Sequence, residues 1–319
     1  MIPVLTHSDI VARLDRSAVR KAVESAHAAL ASGEFRNPAP QALALPDDGT
    51  AIPMVAAAGD HVAVKLLTDL PANQHRGLPV QRSTILVHSA VTGECVAVLD
   101  GRAITAIRTA AASAVATEYL APEGSSTLGL VGAGNLAIEH ACAIAEIRPI
   151  ETIVAWSRSA DTAAAFRAGT ESLGIPVEFA DSPETVLARS DIVCTLTPAR
   201  EPLVSGRWFR PGQHINAVGS PPRPDHREID ALGMRRARLV VDSHPTVMAK
   251  SGGILLAIAE HAITEADTRI ELGHIIADPA LGRCSATEIT LFQSVGLGLQ
   301  DLVTAQLVLD RWGDRVTVG

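Results

Sequence analysis

The sequence predicts an α/β protein with a parallel sheet, and three observations support this class. From Ser126 onward, short apolar strands alternate with helical segments, which is the pattern of strand–helix–strand units on a parallel sheet. A glycine-rich turn in LGLVGAGNLA, residues 128–137, follows the first of these strands. Between about Asn37 and residue 100 the chain contains instead short runs divided by turn residues, which are typical of β-hairpins. We therefore expect a parallel α/β region preceded by an antiparallel sheet.

The N-terminal segment 6–34 predicts two helices, because its apolar residues recur at helical spacing. The segment 41–67 then shows alternating runs around the turn Asp47-Asp48-Gly49. The stretch RSTILVHSAVTGECVAVLDG has two apolar strands joined around Thr92-Gly93, which predicts a hairpin. These two strands are apolar on both faces, so we expect the sheet to be covered, for example by a second copy of the chain.

The remaining elements follow in order. TAIRTAAASAVATEYLAP predicts a helix of small residues that ends at Pro122. After it, we expect strands in STLGLVG, ETIVAWSR, PVEFA, DIVCTLT, GQHINAVG and ARLVVDS, with helices between the first four. The C-terminal TEITLFQSVGLGLQDLVTAQLVLDRW begins like a strand and continues as a long helix.

Composition and charge exclude several classes of partner. The 319 residues are 47% apolar and carry a net charge of -8, so no basic surface is expected to neutralise nucleic-acid phosphates. No apolar run reaches the roughly 20 residues of a membrane helix, and the N-terminus has no signal-peptide pattern. Four separated cysteines predict a reduced, cytoplasmic protein. The scattered histidines form no ligand motif, so we expect no metal site.

The glycine-rich turn is the first candidate site. A strand precedes it, a helix follows, and a second strand closes the unit within about 30 residues, as in the dinucleotide-binding fingerprint. Gly132 would permit the tight turn, Gly134 the approach of a diphosphate, and Ala137 close packing of the helix. The diphosphate would then bind the free amides at the helix start, including those of Asn135 and Leu136. The triplet alone also fits an ordinary turn, but its context favours a Rossmann unit.

The end of the next strand bears on the choice of cofactor. NAD sites usually have an acidic residue there, which binds the ribose hydroxyls. This chain has instead AWSRS, with Ser157, Arg158 and Ser159. Hydroxyls and a guanidinium suit the 2′-phosphate of NADP. We therefore predict NADP(H), with NAD(H) as the alternative; the competing interpretation is that Arg158 is an ordinary solvated residue at a helix start.

Five segments together resemble the ornithine cyclodeaminase/μ-crystallin family. They are VKLLTDLPANQHRGLP, TGECVAVLDGRAITAIRTAAASAVA, LGLVGAGNLA, HINAVGS and ITLFQSVGLGLQD, and the resemblance runs from about residue 35 to the C-terminus. It implies a Rossmann NADP-binding domain, which we place at residues 116–289. It also implies an α+β substrate-binding and dimerisation domain built from both chain ends, 1–115 with 290–319. Members of this family are nicotinamide enzymes that act on small amino or imino acids, and they form homodimers through the N-terminal sheet.

The resemblance also implies site residues. In the family, a strand lysine and the arginine of the RTAA block hold the substrate carboxylate, and they match Lys65 and Arg108. An arginine can bind a carboxylate with two hydrogen bonds, and a lysine adds a second charge. Further candidates for contact with the substrate are Gln41, Met54, Asn73 and Ser220. Further candidates for contact with the cofactor are Thr109, Thr195, Thr197, Val218, Gly219 and Ser294.

Departures from the family pattern bear on the reaction. Ornithine cyclodeaminases have an aspartate directly after the glycine of the INAxG strand, whereas Gly219 is followed here by Ser220, and no carboxylate comes before Asp225. They also have a glutamate shortly before the MP of the first sheet, where this chain reads Ile52-Pro53-Met54-Val55. Gln41 stands where many members have an arginine. The two missing carboxylates favour the ketimine reductases of the family over its cyclodeaminases, whereas Gln41 departs from both classes and indicates weaker substrate binding or a different acid.

We therefore predict NADPH-dependent reduction of a cyclic α-imino acid. The substrate would be 1-pyrroline-2-carboxylate or 1-piperideine-2-carboxylate, and the product L-proline or L-pipecolate. Arg108 and Lys65 would hold the carboxylate while hydride passes from the nicotinamide to C2. Three alternatives stay open: an ornithine cyclodeaminase, an amino-acid dehydrogenase similar to alanine dehydrogenase, and a non-catalytic NADPH-binding protein of the crystallin type.

Overall fold

A computed structural model describes residues 2–313, and the chain divides into two compact units. The first unit comprises Met1–Arg108 and Gly296–Gly319, and the second comprises Thr109–Val295. The sequence places these boundaries after residues 115 and 289 instead. The first boundary falls inside one unbroken helix of small residues, so no change of composition marks it. The second lies beyond a strand that pairs within the parallel sheet of the second unit.

A sheet of six strands forms the first unit. Its strands are β1 (Val4–Leu5), β2 (Leu43–Leu45), β3 (Gly49–Ala58), β4 (His61–Asp69), β5 (Gln81–Ser89) and β6 (Cys95–Asp100). They lie in the order β1-β6-β5-β4-β3-β2, antiparallel except where β1 pairs with β6. The β5–β6 pairing confirms the predicted hairpin, and β2 to β4 confirm the hairpins predicted before it.

Three helices belong to the same unit as this sheet. They are α1 (His7–Val11), α2 (Arg16–Ala31) and, from the C-terminal part of the chain, α11 (Gly298–Gly313). Helix α11 packs against α2, β3 and β4. Along β4, Ala63, Lys65 and Leu67 are buried, whereas Val64 and Leu66 on the other face are partly exposed. The strand alternation therefore places Lys65 on the face that α11 covers.

The second unit is a parallel sheet of seven strands. They are β7 (Thr127–Val131), β8 (Thr152–Trp156), β9 (Val177–Phe179), β10 (Ile192–Thr195), β11 (His214–Ala217), β12 (Arg238–Val241) and β13 (Thr290–Gln293). Their order is β12-β13-β11-β10-β7-β8-β9. The winding direction therefore reverses between β7 and β10, the switch point at which open α/β sheets bind their ligands. The predicted Rossmann class is confirmed.

Helices connect these strands. Helix α3 (Gly101–Leu120) begins in the first unit and ends in the second. The others are α4 (Asn135–Ile147), α5 (Ala160–Thr170), α6 (Pro183–Arg189), α7 (Ala231–Arg236), α8 (His244–Lys250), α9 (Gly252–Ala259) and α10 (Leu272–Ala277). Short 3-10 helices occupy Pro71–Arg76, Glu171–Leu173, Gly206–Trp208, Glu265–Thr268 and Pro279–Leu281. Within residues 2–313, none of the helices combines the length and the apolar character needed to cross a bilayer.

Three histidine side chains are buried in the cores: His27 on α2, His140 on α4 and His214 on β11. Burial lowers the pKa of His27 and of His140 to about 4, and that of His214 to about 3. The nearby cations Arg108 and Arg283 lower the pKa values of His27 and His214 further. All three imidazoles are therefore neutral in the folded protein at pH 7.

We expect the protein to lose stability below pH 6.5. An unfolded histidine binds a proton near pH 6.5, whereas these folded imidazoles stay neutral down to about pH 4. Between these two pH values the unfolded state therefore binds more protons than the folded state. The contribution of these histidines to the free energy of unfolding is thus complete above pH 6.5 and declines as the pH falls below it. The decline should reach about 1.4 kcal/mol per histidine per pH unit. Urea unfolding between pH 7 and pH 5 measures this slope.

A pair of variants isolates the histidine contribution to this slope. His140→Gln removes the titrating ring, and its amide can still hydrogen-bond to Ser113 and to the Leu136 carbonyl, the two partners of the imidazole. We expect this variant to lower the slope by about a third, because one of three buried rings is lost. The same substitution at the exposed His75 should leave the slope unchanged. Equal slopes in all three proteins would contradict the expectation.

Candidate active site

The glycine-rich turn lies at the switch point of the parallel sheet. Gly132 directly follows β7 and has a φ of 104°. A Cβ at Gly132 would stand 2.9 Å from the Leu196 carbonyl oxygen, which follows the neighbouring strand β10. Gly134 is the N-cap of α4 and has no side chain to cap it, and a Cβ placed there would meet no atom within 4 Å. At Gly132 the turn therefore packs closely against the backbone that follows β10, whereas at Gly134 the turn is open, with space for a ligand to approach it.

The start of α4 offers free amide groups to this open side. The first hydrogen bonds of the helix run from the amides of Ala137 and Ile138 to the Gly134 carbonyl. The N–H groups of Asn135 and Leu136 precede them and lie outside the helical ladder. Free amides and the positive end of a 13-residue helix suit a diphosphate group. The residues present therefore fit a dinucleotide.

A buried carboxylate fixes the neighbouring loops. Glu228 accepts hydrogen bonds from the Thr195 hydroxyl (2.8 Å), from the amide and the hydroxyl of Thr197 (2.6 and 2.8 Å), and from the Gly219 amide (2.7 Å). Burial raises the pKa of Glu228, and these four hydrogen bonds act in the opposite direction. The side chains of Thr195 and Thr197, which the sequence proposes for the cofactor, thus bind Glu228. Glu228 holds the carboxyl ends of β10 and β11 together.

Ser220 lies beside this network. The sequence has no carboxylate directly after Gly219, and Asp225 lies at the surface, where it pairs with Arg200. The carboxylate that does reach the Gly219 amide comes from Glu228, nine residues along the chain. The Ser220 hydroxyl is buried without a hydrogen-bond partner among the described residues. It lines a cavity of about 10 Å³, which has room for about one water molecule.

The AWSRS segment follows β8, the neighbour of β7 on the other side. Arg158 is exposed. The Ser157 hydroxyl bonds to the backbone of Ser159, and the Ser159 hydroxyl caps α5 by accepting from the Thr162 amide. The two serines therefore shape this loop, and the Arg158 guanidinium is its charged group.

The other residues proposed for the cofactor differ in burial. Thr109 is buried in α3 at the beginning of the second unit. Val218 follows β11 and is partly exposed. Ser294 follows β13 and is buried, and its hydroxyl donates to Asp242 at 3.1 Å. Asp242 also accepts from the Val295 amide, so it ties the ends of β12 and β13 as Glu228 ties those of β10 and β11.

The first unit brings the two predicted cations to one carboxylate. Lys65 Nζ and Arg108 Nε each lie 3.0 Å from the same oxygen, Oδ1 of Asp301 on α11. Lys65 also donates to the Thr105 hydroxyl at 2.7 Å, and Arg108 Nη1 donates to Gln300 Oε1 at 2.8 Å. Lys65 is 1% exposed, Arg108 5% and Asp301 0%. A buried centre of two cations and one anion therefore lies between β4, α3 and α11.

The surroundings of Lys65 are apolar. Met54 and Ile85 face it from the neighbouring strands, and Ala63 and Leu67 precede and follow it on the same face of β4. All four are buried. An ammonium group in such a place is stable only when it is paired, because its desolvation is costly. Asp301 supplies the pairing charge.

The remaining substrate candidates lie in different environments. Met54 is the cross-strand neighbour of Lys65. Asn73 is buried in the 3-10 helix Pro71–Arg76, and its side-chain amide donates to the Pro79 carbonyl. Gln41 lies before β2 and is exposed. The structure thus brings Met54 to the charged centre of the first unit, and Gln41 stands on the surface of that unit.

Sequence reasoning missed three residues of these arrangements: Asp301, Gln300 and Glu228. Asp301 and Gln300 stand in the predicted C-terminal helix, in the otherwise apolar stretch GLQDLV. Two polar residues on a buried helix face are the signal that would have revealed them. Among the described residues, no group of three or more His, Cys, Asp or Glu side chains is arranged to hold a metal ion.

A doubly wound parallel sheet with an open glycine turn at its switch point defines a dinucleotide-binding protein of the Rossmann class. The chain belongs to the ornithine cyclodeaminase/mu-crystallin family, whose model matches residues 3–315. Among curated relatives, the ketimine reductase mu-crystallin of Rattus norvegicus is 36% identical over 261 residues, which cover 82% of this chain and 79% of the relative. The predicted family membership is confirmed.

Two solved structures extend the comparison. The Thermococcus litoralis Delta(1)-pyrroline-2-carboxylate reductase, in complex with NADH and L-proline, is 35% identical with a TM-score of 0.95, and 98% of each chain is covered. An archaeal alanine dehydrogenase dimer with bound NAD is 30% identical with a TM-score of 0.93, and 100% of this chain and 98% of that chain are covered. The likeness therefore extends over essentially the whole chain.

Proposed function

We propose that the protein is a ketimine reductase that reduces a cyclic α-imino acid to the corresponding amino acid at the expense of NADPH. The substrates are 1-pyrroline-2-carboxylate and 1-piperideine-2-carboxylate, and the products are L-proline and L-pipecolate. The observation that carries the proposal is the pair of buried cations, Lys65 and Arg108, which meet at one carboxylate oxygen. Relatives with the same fold include a pyrroline-2-carboxylate reductase that binds L-proline.

Arg108 and Lys65 bind the substrate carboxylate in this proposal. The guanidinium forms two parallel hydrogen bonds to it, and the ammonium adds a point charge. Holding the carboxylate at two points restricts the orientation of the ring, which removes much of the entropic barrier to reaction. The bound nicotinamide supplies the hydride that C2 of the imine accepts. An imine that arrives protonated from solution needs no acidic side chain after Gly219.

The apolar neighbours of Lys65 favour an imine ring over ornithine. A cyclodeaminase substrate carries a second ammonium group, which needs a counter-charge. Met54, Leu67 and Ile52 form a buried apolar cluster on the face of the sheet that carries Lys65. Such a surface suits the methylene groups of a five- or six-membered ring. The serine at position 220 is in line with a reaction that does not activate water.

A substrate screen tests the proposal. The purified protein is assayed for consumption of NADPH and of NADH with the two cyclic imines, with pyruvate plus ammonia, and with ornithine. Turnover of the imines without ammonia supports the proposal. A requirement for ammonia with pyruvate indicates an amino-acid dehydrogenase, and release of ammonia from ornithine without net cofactor turnover indicates a cyclodeaminase. Tight NADPH binding with no turnover of any substrate indicates a non-catalytic protein.

We propose NADP(H) as the preferred cofactor because Arg158 follows β8 where an acidic residue would select NAD. Two solved relatives with the same fold contain NADH or NAD, so the proposal of NADP(H) rests on the AWSRS loop of this chain alone. Arg158→Ala is expected to raise the KM for NADPH about ten- to hundredfold, because a charge-assisted hydrogen bond to the 2′-phosphate is lost. The KM for NADH should change little.

Steady-state kinetics with both cofactors measures this effect. The control is Arg207→Ala, since Arg207 is an exposed arginine of the same unit in the 3-10 helix Gly206–Trp208. An equal rise of both KM values in Arg158→Ala would show that Arg158 does not read the 2′-phosphate. The four cysteines, all within the described residues, form no disulfide bond with one another, and we propose that the enzyme works in the reducing cytoplasm.

We propose that the protein is a homodimer formed through the outer face of the first sheet. Val55, Val64, Leu86 and Val98 stand opposite one another in a single row across β3, β4, β5 and β6. They point away from the face that α11 covers, and Val55 is 37% exposed. A continuous apolar row on a sheet face is typical of a surface that another subunit buries. The archaeal alanine dehydrogenase with the same fold is a dimer.

Val64→Glu is expected to convert the dimer to a monomer. The substitution places a carboxylate at the middle of the row, where its burial without a partner would cost several kcal/mol. Light scattering coupled to gel filtration measures the mass, and circular dichroism checks that the monomer is folded. The control is Val91→Glu at the exposed β5–β6 turn, which should leave the mass unchanged. A dimeric Val64→Glu protein would refute this interface.

A further inference from the structure

The two cations proposed to bind the substrate are both held from a third element, helix α11. Lys65 comes from β4 and Arg108 from α3, and neither element supplies the carboxylate they share. Asp301 supplies it with a single oxygen atom, Oδ1, at 3.0 Å from each cation. The adjacent residue, Gln300, binds the Nη1 group of Arg108 at 2.8 Å. Consecutive residues of one helix therefore bind both cations.

We propose that Asp301 and Gln300 are positioning residues for the reaction: they fix the Lys65 ammonium and the Arg108 guanidinium in the orientation that receives the substrate carboxylate. This inference rests on the proposed function. A lysine side chain has four flexible bonds, and its fixation costs rotamer entropy. Asp301 accounts for that fixation in the folded protein, so the substrate finds the cations already arranged.

Two contacts fix the plane of the Arg108 guanidinium. Its Nε donates to Asp301 and its Nη1 to Gln300, and two hydrogen bonds to different nitrogens of a planar group leave it no free rotation. Asp301 alone would hold the charge without setting the plane. Gln300 thus sets the orientation of the Arg108 guanidinium plane, with Nε and Nη1 directed toward their protein partners.

The orientation of the Gln300 amide is itself determined. Its Oε1 accepts from Arg108 and from the Leu297 amide, while its Nε2 lies 3.0 Å from His27 Nε2 on α2. Burial and the nearby Arg108 charge lower the pKa of His27 to about 4, so this ring is neutral and its Nε2 accepts a hydrogen bond from the Gln300 amide. A chain of contacts thus runs from His27 through Gln300 to Arg108, and it allows only one orientation of the amide.

The test replaces Asp301 by its uncharged isostere. Asp301→Asn is expected to lower kcat/KM for 1-pyrroline-2-carboxylate about a hundredfold, mainly through a higher KM. The basic limb of the pH profile of kcat/KM should also move to lower pH. Lys65 stays buried but loses its carboxylate, and both conditions favour the neutral amine. A role limited to holding α11 in place would not move this limb.

Asp310→Asn is the matched control. Asp310 lies on the same helix and is exposed, so the same chemical change there should leave KM and the pH profile unchanged. Circular dichroism and the thermal midpoint establish whether each variant is folded. Wild-type KM and an unmoved basic limb in a folded Asp301→Asn protein would overturn the role of Asp301.

Gln300→Met provides a second, independent variant. It keeps the length of the side chain and removes the acceptor for Arg108 Nη1, while Lys65 keeps its carboxylate. We expect the KM for the imine to rise about tenfold, with the basic limb unmoved. If Asp301→Asn does not fold, this variant still tests the arrangement. A wild-type KM in Gln300→Met would overturn the role of Gln300.

Binding measurements separate this inference from the proposed reaction. Calorimetry with L-proline in the presence of NADPH reports carboxylate binding without turnover. If the wild type reduces no imine but binds L-proline, and Asp301→Asn binds it more weakly, the proposed reaction fails and the positioning role stands. If the wild type reduces the imine and both variants bind L-proline as the wild type does, the positioning role fails alone. If the wild type binds no carboxylate, both fail.

Discussion

Replacing Arg108 by alanine is expected to lower kcat/KM for 1-pyrroline-2-carboxylate by about a thousandfold. The variant loses two charge-assisted hydrogen bonds to the carboxylate, which together contribute about 4 kcal/mol, and about 1.4 kcal/mol corresponds to a factor of ten. The protein should remain folded, because the remaining ion pair, Lys65 with Asp301, is balanced in charge. NADPH consumption at varied imine concentration measures the loss.

Two further variants define the contribution of Arg108. Arg108→Lys keeps the positive charge and loses the planar fork, so its kcat/KM should lie between those of wild type and alanine. Arg102→Ala removes an exposed arginine from the first turn of the same helix and should leave kcat/KM unchanged. A wild-type kcat/KM in Arg108→Ala would exclude Arg108 from the substrate site, whatever the substrate screen shows.

Gly134→Ala is expected to raise the KM for NADPH about a hundredfold with little change in stability. A Cβ at Gly134 meets no protein atom within 4 Å, and its φ of -77° suits any residue. The folded chain therefore accepts the methyl group. The same methyl group would occupy the space through which a diphosphate approaches the start of α4, so the contacts of the cofactor with the free amides would be lost.

The neighbouring glycine should behave in the opposite way. Gly132→Ala places a side chain at a φ of 104° and a Cβ 2.9 Å from the Leu196 carbonyl oxygen. Such strain is expected to lower the free energy of unfolding by about 2–4 kcal/mol, which thermal and urea unfolding measure. Gly124→Ala, at an exposed position where a Cβ also meets nothing, is the control for both. A wild-type KM for NADPH in Gly134→Ala would contradict a diphosphate at this turn.

The fold was largely predictable because its signals are local. The alternation of strands and helices after Ser126 follows from hydrophobic period, and the β5–β6 hairpin follows from Thr92-Gly93 between two apolar runs. The domain boundaries were less predictable, since α3 continues from one unit into the other without a break at Arg108. A helix of uniform composition carries no sign of where one core ends and the next begins.

The candidate site was predictable only in part, because its contacts join distant parts of the chain. The resemblance to the family gave Lys65 and Arg108. Asp301 lies 236 residues after Lys65, and no periodicity links two positions so far apart. Glu228 was not predicted for a different reason. The family pattern places a carboxylate directly after Gly219, whereas the carboxylate that binds the Gly219 amide belongs to a later loop.

The dependence of Lys65 on α11 has a consequence for the biosynthesis of the protein. The ribosome makes β4 and α3 long before it makes Asp301, so a nascent sheet carries Lys65 without this anionic partner while the whole second unit is being synthesised. An ammonium group among Met54, Ile85 and Leu67 opposes the closure of that core until its counter-charge is present. The first unit therefore cannot complete its core until the chain beyond the second unit has been made, and chains that end before α11 are exposed to aggregation.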